Sequence, residues 1–152
     1  NQAPEEFGQP SRIPLHEAIE KGNVESVRVL IKNREALDSK NQFGATPLHL
    51  ATANGNLAMV KLLLQAGAKP NPTNFAKQTP LHFAALNGHE LIANELIKGG
   101  AKVNAVDDED WTPLDCALWK GKGIIYRKLK DKQKVAELLV KHGGKEGEKH
   151  DH

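Results

Sequence analysis

The sequence contains little that could cross-link the chain, anchor it in a membrane or carry out catalysis. It has a single cysteine, Cys116, so no internal disulfide can form. No apolar run approaches the ~18 residues that suggest a membrane-spanning helix. The chain also lacks a Cys-x-x-Cys pair, a glycine-rich phosphate loop, and a serine or cysteine nucleophile beside a plausible base. These absences predict a protein that is not an enzyme, has no membrane span and requires no cofactor.

The composition is that of one globular domain of 152 residues, with 39% apolar residues. Residues 1–10 are polar, include prolines and lack the apolar region of a signal peptide, which predicts a flexible N-terminal segment. We expect a cytoplasmic protein; secretion or a periplasmic location after signal cleavage is the open alternative. We expect Cys116, on a predicted helix, to be a buried packing thiol.

A short segment recurs through the chain at a fixed interval. Its fullest copy, residues 79–88, reads Thr-Pro-Leu-His-Phe-Ala-Ala-Leu-Asn-Gly. Similar sequences begin at Pro14 and Pro47, and a less similar one begins at Pro113. The prolines and the glycines of the copies both advance by 33 residues, the glycines being Gly22, Gly55, Gly88 and Gly121.

Each unit reads as two helices. Thr79 can cap a helix that begins at Pro80, and Gly88 can end it after about two turns because glycine tolerates positive φ. A second segment then places apolar residues on one helical face. Those residues are Val27, Leu30 and Ile31; Val60, Leu63 and Leu64; and Ala93, Leu96 and Ile97. One helix pair cannot bury its apolar stripe alone, so neighbouring units must stack.

The period of 33 residues with Thr-Pro-Leu-His-x-Ala is similar to the ankyrin-repeat family. The resemblance covers about residues 11–145 and implies an all-α fold, a solenoid of stacked antiparallel helix pairs with projecting β-turn or hairpin loops. The expected repeats span about residues 11–43, 44–76, 77–109 and 110–145, followed by a polar, mobile tail at residues 146–152.

The first and last units depart from the pattern. Ile13 replaces the capping threonine of the first unit, and Glu17 and Glu20 give its first helix the polar character of a terminal cap. The connecting loop before the second unit contains Gly44, whereas the loops at residues 74–77 and 107–110 contain no glycine. A turn glycine usually serves positive φ, so we expect those two loops to be less tightly turned.

The fourth unit contains an insertion of about ten residues within residues 120–134. This segment has seven lysines and arginines and one acid, a net charge of +6, whereas the whole chain has +2. Ile125, Leu129, Lys132 and Ala136 follow one another at intervals of three or four residues, which predicts that part of the insertion extends the last helix. An alternative function is binding of nucleic acid or another polyanion through these lysines and Tyr126. Because the rest of the chain is net acidic, we expect nucleic-acid binding to be the less favoured function.

Three histidines, His16, His49 and His82, recur in phase. Equivalent positions in stacked units lie roughly 10 Å apart, too far for shared metal ligation at about 2 Å per bond. The family resemblance implies instead a bond within the motif, from His49 to Thr46 and from His82 to Thr79. This expectation does not extend to the outer units, where Ile13 lacks the hydroxyl and residue 115 is Asp.

A second group of possible ligands, His142, His150, Asp151 and His152, lies near the C-terminus. The last three are on the predicted mobile tail and lack a fixed ligand geometry. We therefore predict adventitious metal binding or none, and no metal site.

The resemblance implies that partner proteins bind to the loop tips and the exposed side of the first helices. Four of the seven aromatic residues fall at such positions. We take Phe43, Phe75 and Trp111 as the anchors, because aromatic residues dominate interface hot spots. The full set of candidate partner-binding residues is Phe43, Asn54, Phe75, Gln78, Leu86, Asn87, Asp108, Glu109, Trp111, Trp119 and Lys120.

Two alternatives stay open at this point. Phe43 and Phe75 could instead brace neighbouring turns, and the basic insertion could fold over Trp119. The chain could also be a targeting fragment of a larger effector or enzyme. We expect a monomer whose partner protein the sequence does not identify.

Overall fold

The computed structural model describes residues 13–121 and 126–147, with the side chains of residues 126 and 127 excepted. Within these ranges the chain is helical, with one 3-10 turn at Arg34–Ala36 and no strand. The α-helices are α1 (Pro14–Glu20), α2 (Val24–Leu30), α3 (Pro47–Ala53), α4 (Leu57–Gln65), α5 (Pro80–Asn87), α6 (Glu90–Lys98), α7 (Pro113–Leu118) and α8 (Tyr126–Lys141). They form four pairs, which confirms the predicted all-α class. The proposed flexible segment at residues 1–10 lies outside the described residues.

The first helix of each unit begins at its proline, and in the first three units it ends just before a glycine at positive φ, as the sequence predicts. The predicted stop at Gly121 is wrong, because α7 already ends at Leu118 and Gly121 does not adopt positive φ. In α5 the Thr79 side chain accepts a hydrogen bond from the His82 amide, Pro80 occupies the first turn, and Gly88 follows the last residue at φ 74°. The same threonine cap begins α3 and α7. Helix α1 has no side-chain cap, because its preceding residue is Ile13.

The second helices turn their predicted apolar faces inward. All nine residues of the predicted stripes are buried or half-buried, and Val60, Leu63 and Leu96 are fully buried. Helices α4 and α6 each have nine residues and are followed by glycines, Gly67 and Gly100, at φ 104°.

The units stack into two rows. Helices α1, α3, α5 and α7 pack side by side as one row, and α2, α4, α6 and α8 form the second, less closely packed row. Leu48 and Leu81, on first helices, and Leu63 and Leu96, on second helices, have at most 1% of their surface exposed. Burial of such side chains contributes about 1.5–3 kcal/mol each, so the continuous core is the main stabilising feature of the stack.

The insertion lengthens the last helix, as predicted. Helix α8 has 16 residues, against nine in α4 and α6. Its additional N-terminal turns reach back over the α5–α6 connection, so that a Cβ at Gly88 would lie 2.9 Å from the Cβ of Asp131. Helix α8 therefore packs against α5 and α6 as well as against its own partner, α7.

Candidate protein-binding surface

Three loops project from the stack just before the first helices of the second, third and fourth units. We call residues 41–45 tip 1, residues 74–78 tip 2 and residues 107–111 tip 3. In each tip the first residue closes the loop with its side chain. The Oδ1 atom of Asn74 accepts hydrogen bonds from the amides of Ala76 and Gln78, both at 2.9 Å. Asn41 and Asp107 make the equivalent pairs of bonds at 2.9–3.0 Å.

The expectation that tips 2 and 3 are less tightly turned is wrong. Gly44, Lys77 and Asp110 all adopt positive φ, at 77°, 61° and 66°, and each closes its turn with the same backbone hydrogen bond. A left-handed conformation costs a non-glycine residue about 1–2 kcal/mol, and the side-chain bonds of Asn74 and Asp107 offset that cost.

Glycine is required in tip 1 for a further reason. A Cβ at Gly44 would lie 2.7 Å from Cδ1 of Phe75, so the Phe75 ring rests against the glycine backbone. The predicted bracing of neighbouring turns is therefore real for one edge of the Phe75 ring, although 75% of the residue remains exposed.

The tips are also bonded to one another. The amide of Phe75 donates to the carbonyl of Phe43 at 3.1 Å, and the amide of Asp108 donates to the carbonyl of Ala76 at 3.0 Å. The three loops consequently form a fixed row rather than three independent projections.

The in-phase histidines tie this row to the helices. His49 Nε2 lies 2.8 Å from the carbonyl of Gln78, and His82 Nε2 lies 2.8 Å from the carbonyl of Trp111. Their Nδ1 atoms accept hydrogen bonds from the amides of Thr46 and Thr79 and lie within 3.0 Å of the threonine hydroxyls. The bonds implied by the resemblance are thus confirmed, and each histidine additionally supports the tip of the next unit.

These contacts define the protonation state of the ring. A backbone amide can only donate, so Nδ1 of His49 must be an acceptor and Nε2 must bear the proton given to Gln78. Burial lowers the pKa of His49 from 6.5 to about 4, although the bond to Gln78 opposes the change. Burial also lowers the pKa of His82. Both rings are neutral at pH 7.

The outer units use different contacts. His16 Nε2 lies 3.0 Å from the carbonyl of Ser39, and its buried Nδ1 has no hydrogen-bond partner. Ile13, at the place of the capping threonine, has no hydroxyl for this atom. Asp115 keeps the helix cap: its Oδ2 accepts from the amide of Thr112 at 2.9 Å and from the amide of Gly147 at 2.9 Å. The carboxylate therefore accepts a bond where the histidines donate one.

A further set of side chains forms hydrogen bonds between adjacent units, and the sequence did not lead us to expect them. Asn71 Oδ1 accepts from the amide of Lys102 at 2.7 Å, and Asn104 Oδ1 accepts from the amide of Lys145 at 2.7 Å. Asp38 makes the equivalent bond to Lys69 at 3.1 Å. The sequence does contain a pattern that could have indicated these contacts. Asp38, Asn71 and Asn104 recur every 33 residues, as do Asn41, Asn74 and Asp107.

The candidate binding residues differ in exposure. Phe43 is 66% exposed, Phe75 75% and Trp119 46%, whereas Trp111 is half-buried and packs against the core. The polar and smaller candidates divide into exposed Asn54, Asp108, Glu109 and Lys120, and half-buried Gln78, Leu86 and Asn87. The structure brings the three predicted anchors, Phe43, Phe75 and Trp111, onto one row of tips. Trp119 and Lys120 instead follow the other end of α7.

The basic insertion does fold over Trp119. The Lys132 ammonium lies 5.2 Å from the centroid of the Trp119 ring and donates to the Trp119 carbonyl at 2.6 Å. Lys132 is only 1% exposed, and burial lowers its pKa. One of the seven basic residues is therefore withdrawn from the surface that the polyanion hypothesis needs.

Cys116 is buried beside this cluster, as predicted for a packing thiol. Burial raises its pKa to about 12, so the residue is a protonated thiol rather than a reactive thiolate at neutral pH.

The structure offers no fixed ligand cage in its described part. His142 donates from Nδ1 to the carbonyl of Leu138 in its own helix, and the other C-terminal candidates lie outside the described residues. Across residues 13–121 and 126–147, no three His, Cys, Asp or Glu side chains are grouped closely enough to hold a metal ion. No helix in the same ranges is long and apolar enough to cross a membrane.

A protein-family model described as ankyrin repeats (3 copies) matches residues 3–74 and residues 67–151. These matches cover nearly the whole chain, which therefore belongs to the ankyrin-repeat family. Members of this family generally mediate protein–protein interactions and are generally non-enzymatic. A search of curated protein sequences found no match.

Proposed function

We propose that this chain is a non-catalytic interaction module that binds a partner protein through the three tips and the exposed side of the first helices. The observation that supports this most strongly is the pair of aromatic rings on adjacent tips. Phe43 and Phe75 keep 66% and 75% of their surface exposed. Exposed aromatic rings gain little in an isolated chain, and they fit the anchors of an interface.

The rigidity of the tips favours binding. Ordering a loop or side chain at an interface costs affinity, and a surface that is already ordered avoids much of that cost. The side-chain turns of Asn41, Asn74 and Asp107 and the bonds between tips hold the backbone beneath both rings. The exposed polar residues Asn54 and Lys120, with the half-buried Asn87, would set the register of the bound segment.

Trp111 has two roles in this proposal. Its carbonyl accepts the His82 bond and its side chain packs against the core, so only its outer part is available to a partner. Replacing Trp111 would disturb packing as well as binding, and it is better tested separately from the two phenylalanines.

The experiment is affinity capture from a lysate of the source cells, with and without nuclease, using the wild type and the Phe43→Ala/Phe75→Ala variant. A Val29→Ala/Leu91→Ala variant is the matched control, because these residues are 62% and 65% exposed on the second helices. We expect the wild type and the control to retain a protein that the double phenylalanine variant loses. Circular dichroism should show unchanged helix content in all three.

Retention of the same nuclease-resistant protein by the double phenylalanine variant would refute the assignment to the tips. Material that nuclease removes from every form would favour the polyanion function of the basic segment instead.

A further inference from the structure

The last unit leaves one position uncovered that the other three units bury. Ile19, Thr52 and Ala85 occupy equivalent places on α1, α3 and α5 and are 1%, 0% and 0% exposed. The fourth member of the series is Leu118, on α7, and it is 44% exposed. The difference follows from stacking, because each earlier unit has a following unit packed against it and no further helix pair follows α8 in the described chain.

A groove runs beside this residue, between α7 and α8, with a volume of about 430 Å³. Ala117, Leu118 and Leu129 supply its apolar surface. Lys120, Lys130 and Gln133 supply its polar surface, and all three are exposed. The groove is thus an apolar slot with cations at its rim.

The charges around the groove have one predominant sign. Lys134 is exposed one turn after Lys130 on α8. The acid of the insertion, Asp131, lies against Gly88, towards the preceding unit. Glu137, one turn beyond Gln133, is the carboxylate on α8 that most directly counters the lysines. The rim therefore complements a negatively charged ligand, while the apolar floor requires that ligand to bring an apolar side chain.

We propose that the groove between α7 and α8 binds an acidic segment of a partner protein, with a leucine-sized side chain of that segment against Leu118 and Leu129 and its carboxylates beside Lys120 and Lys130. This surface rests on the proposed function only in assuming a protein partner. It lies at the end of α7 opposite tip 3 and shares only Lys120 with the surface proposed above. The residues that the two do not share, Phe43 and Phe75 for the tips and Leu118 and Lys130 for the groove, therefore distinguish the failure of one from the failure of the other.

The probe for this site is a fluorescently labelled synthetic peptide of glutamate and aspartate with two leucines. Two reference peptides replace the leucines with serine or the acids with lysine. Fluorescence anisotropy should show saturable binding of the first peptide alone. In amide NMR spectra that peptide should shift the resonances of Leu118, Lys120 and residues 129–133.

Two variants test the two kinds of contact. Leu118→Asn should weaken binding at least ~10-fold through the lost apolar contact. Lys120→Glu/Lys130→Glu should also weaken it at least ~10-fold and reduce its salt dependence. The matched controls, Val29→Asn and Lys61→Glu, alter exposed residues on α2 and α4 and should leave the affinity unchanged.

The Phe43→Ala/Phe75→Ala variant should bind the peptide as the wild type does, and a loss of binding there would move the site to the tips and overturn the proposal. If the peptide with serine in place of leucine bound as tightly as the leucine peptide, the proposed apolar contact with Leu118 and Leu129 would be wrong. Single-stranded polyuridylate that displaces the peptide, and binds Leu118→Asn as tightly as the wild type, would identify a charge-only surface. Sedimentation that shows a dimer lost in Leu118→Asn would identify a contact between copies instead.

Discussion

The second and third units and the fourth unit solve the same packing problem with different chemistry. In the middle of the stack, His49 and His82 each donate a hydrogen bond to the tip of the following unit. In the fourth unit no such tip follows in the described chain, and Asp115 instead accepts a bond from the amide of Gly147. The third helical position therefore holds a donor, the histidine N–H, where a carbonyl lies opposite, and an acceptor, the Asp115 carboxylate, where an amide lies opposite.

The middle units and the fourth unit also differ in how they could accommodate inserted residues. A unit in the middle of the stack contacts neighbours on both sides, so extra residues there would have to be accommodated against both. Within the described residues the fourth unit packs against one neighbouring unit, and its insertion extends a helix that reaches back over Gly88 and buries Lys132 against Trp119. The insertion in the fourth unit is thus accommodated without disturbing the row of tips.

The largest effect should come from removing a histidine of the middle units. His82→Ala removes one of the two hydrogen bonds to the Trp111 carbonyl, which keeps the bond from the Asp107 amide, and it removes the acceptor of the Thr79 amide. Together with the cavity that it opens in the core, this change should cost about 3–4 kcal/mol of unfolding free energy. His16→Ala is the matched control, and it should cost less because the Nδ1 atom of His16 has no partner. Urea unfolding followed by circular dichroism measures both. Both rings bond a carbonyl through Nε2, so equal losses would show that the bond between His82 Nδ1 and the Thr79 amide adds nothing to stability.

The pH dependence of stability should follow from the same histidines. His49 has a pKa of about 4 in the folded chain and 6.5 when unfolded, so the unfolded chain binds more protons between these values. The contribution of the neutral ring is fully present above pH 6.5 and is lost as the pH falls towards 4, by about 3 kcal/mol in total. Urea midpoints at several pH values measure this loss. His49→Gln should give a shallower decline below pH 6.5, and an unchanged slope would contradict the assignment.

The smallest of these effects should come from the fourth unit. Lys132→Met keeps most of the buried stem but removes the ammonium that bonds the Trp119 carbonyl, which should cost about 1–2 kcal/mol. Trp119 fluorescence should change at the same time, because the cation over the ring is lost. Lys134→Met, at an exposed position on the same helix, should change stability by less than about 0.5 kcal/mol. If the two variants behave alike, Lys132 does not anchor the insertion.

Much of the fold could be predicted from the sequence because it depends on local rules repeated in phase. The Thr-Pro pairs that begin helices, the glycines that end them and the apolar stripes each indicate a short-range preference, and three copies of each reinforce it. The shape of the tips was harder to predict. Positive φ at Lys77 and Asp110 is imposed by the side chains of Asn74 and Asp107, whereas we took the missing glycines as the stronger signal.

The surface was predictable in part. The family resemblance, applied through the 33-residue period, placed Phe43 and Phe75 at adjacent tips, and the structure puts them there with 66% and 75% of each residue exposed. Trp111 instead falls at the tip position of Ala45 and Gln78, which are buried and half-buried, and it is likewise half-buried against the core. The contacts of Asp38, Asn71 and Asn104 with the next unit were all missed, because their recurrence does not reveal which backbone amide each side chain meets. The insertion additionally separates Asn104 from Lys145 by ten more positions than the other two pairs. Whether the eleven candidate residues bind a partner stays a prediction.

The most direct test of the binding surface is amide hydrogen exchange with and without the captured partner. We expect protection on binding at residues 42–45, 75–78 and 108–111 and at the C-terminal ends of α3 and α5, with exchange unchanged along α2 and α6. Protection confined to α2, α4 and α6, with the tips unaffected, would contradict the account.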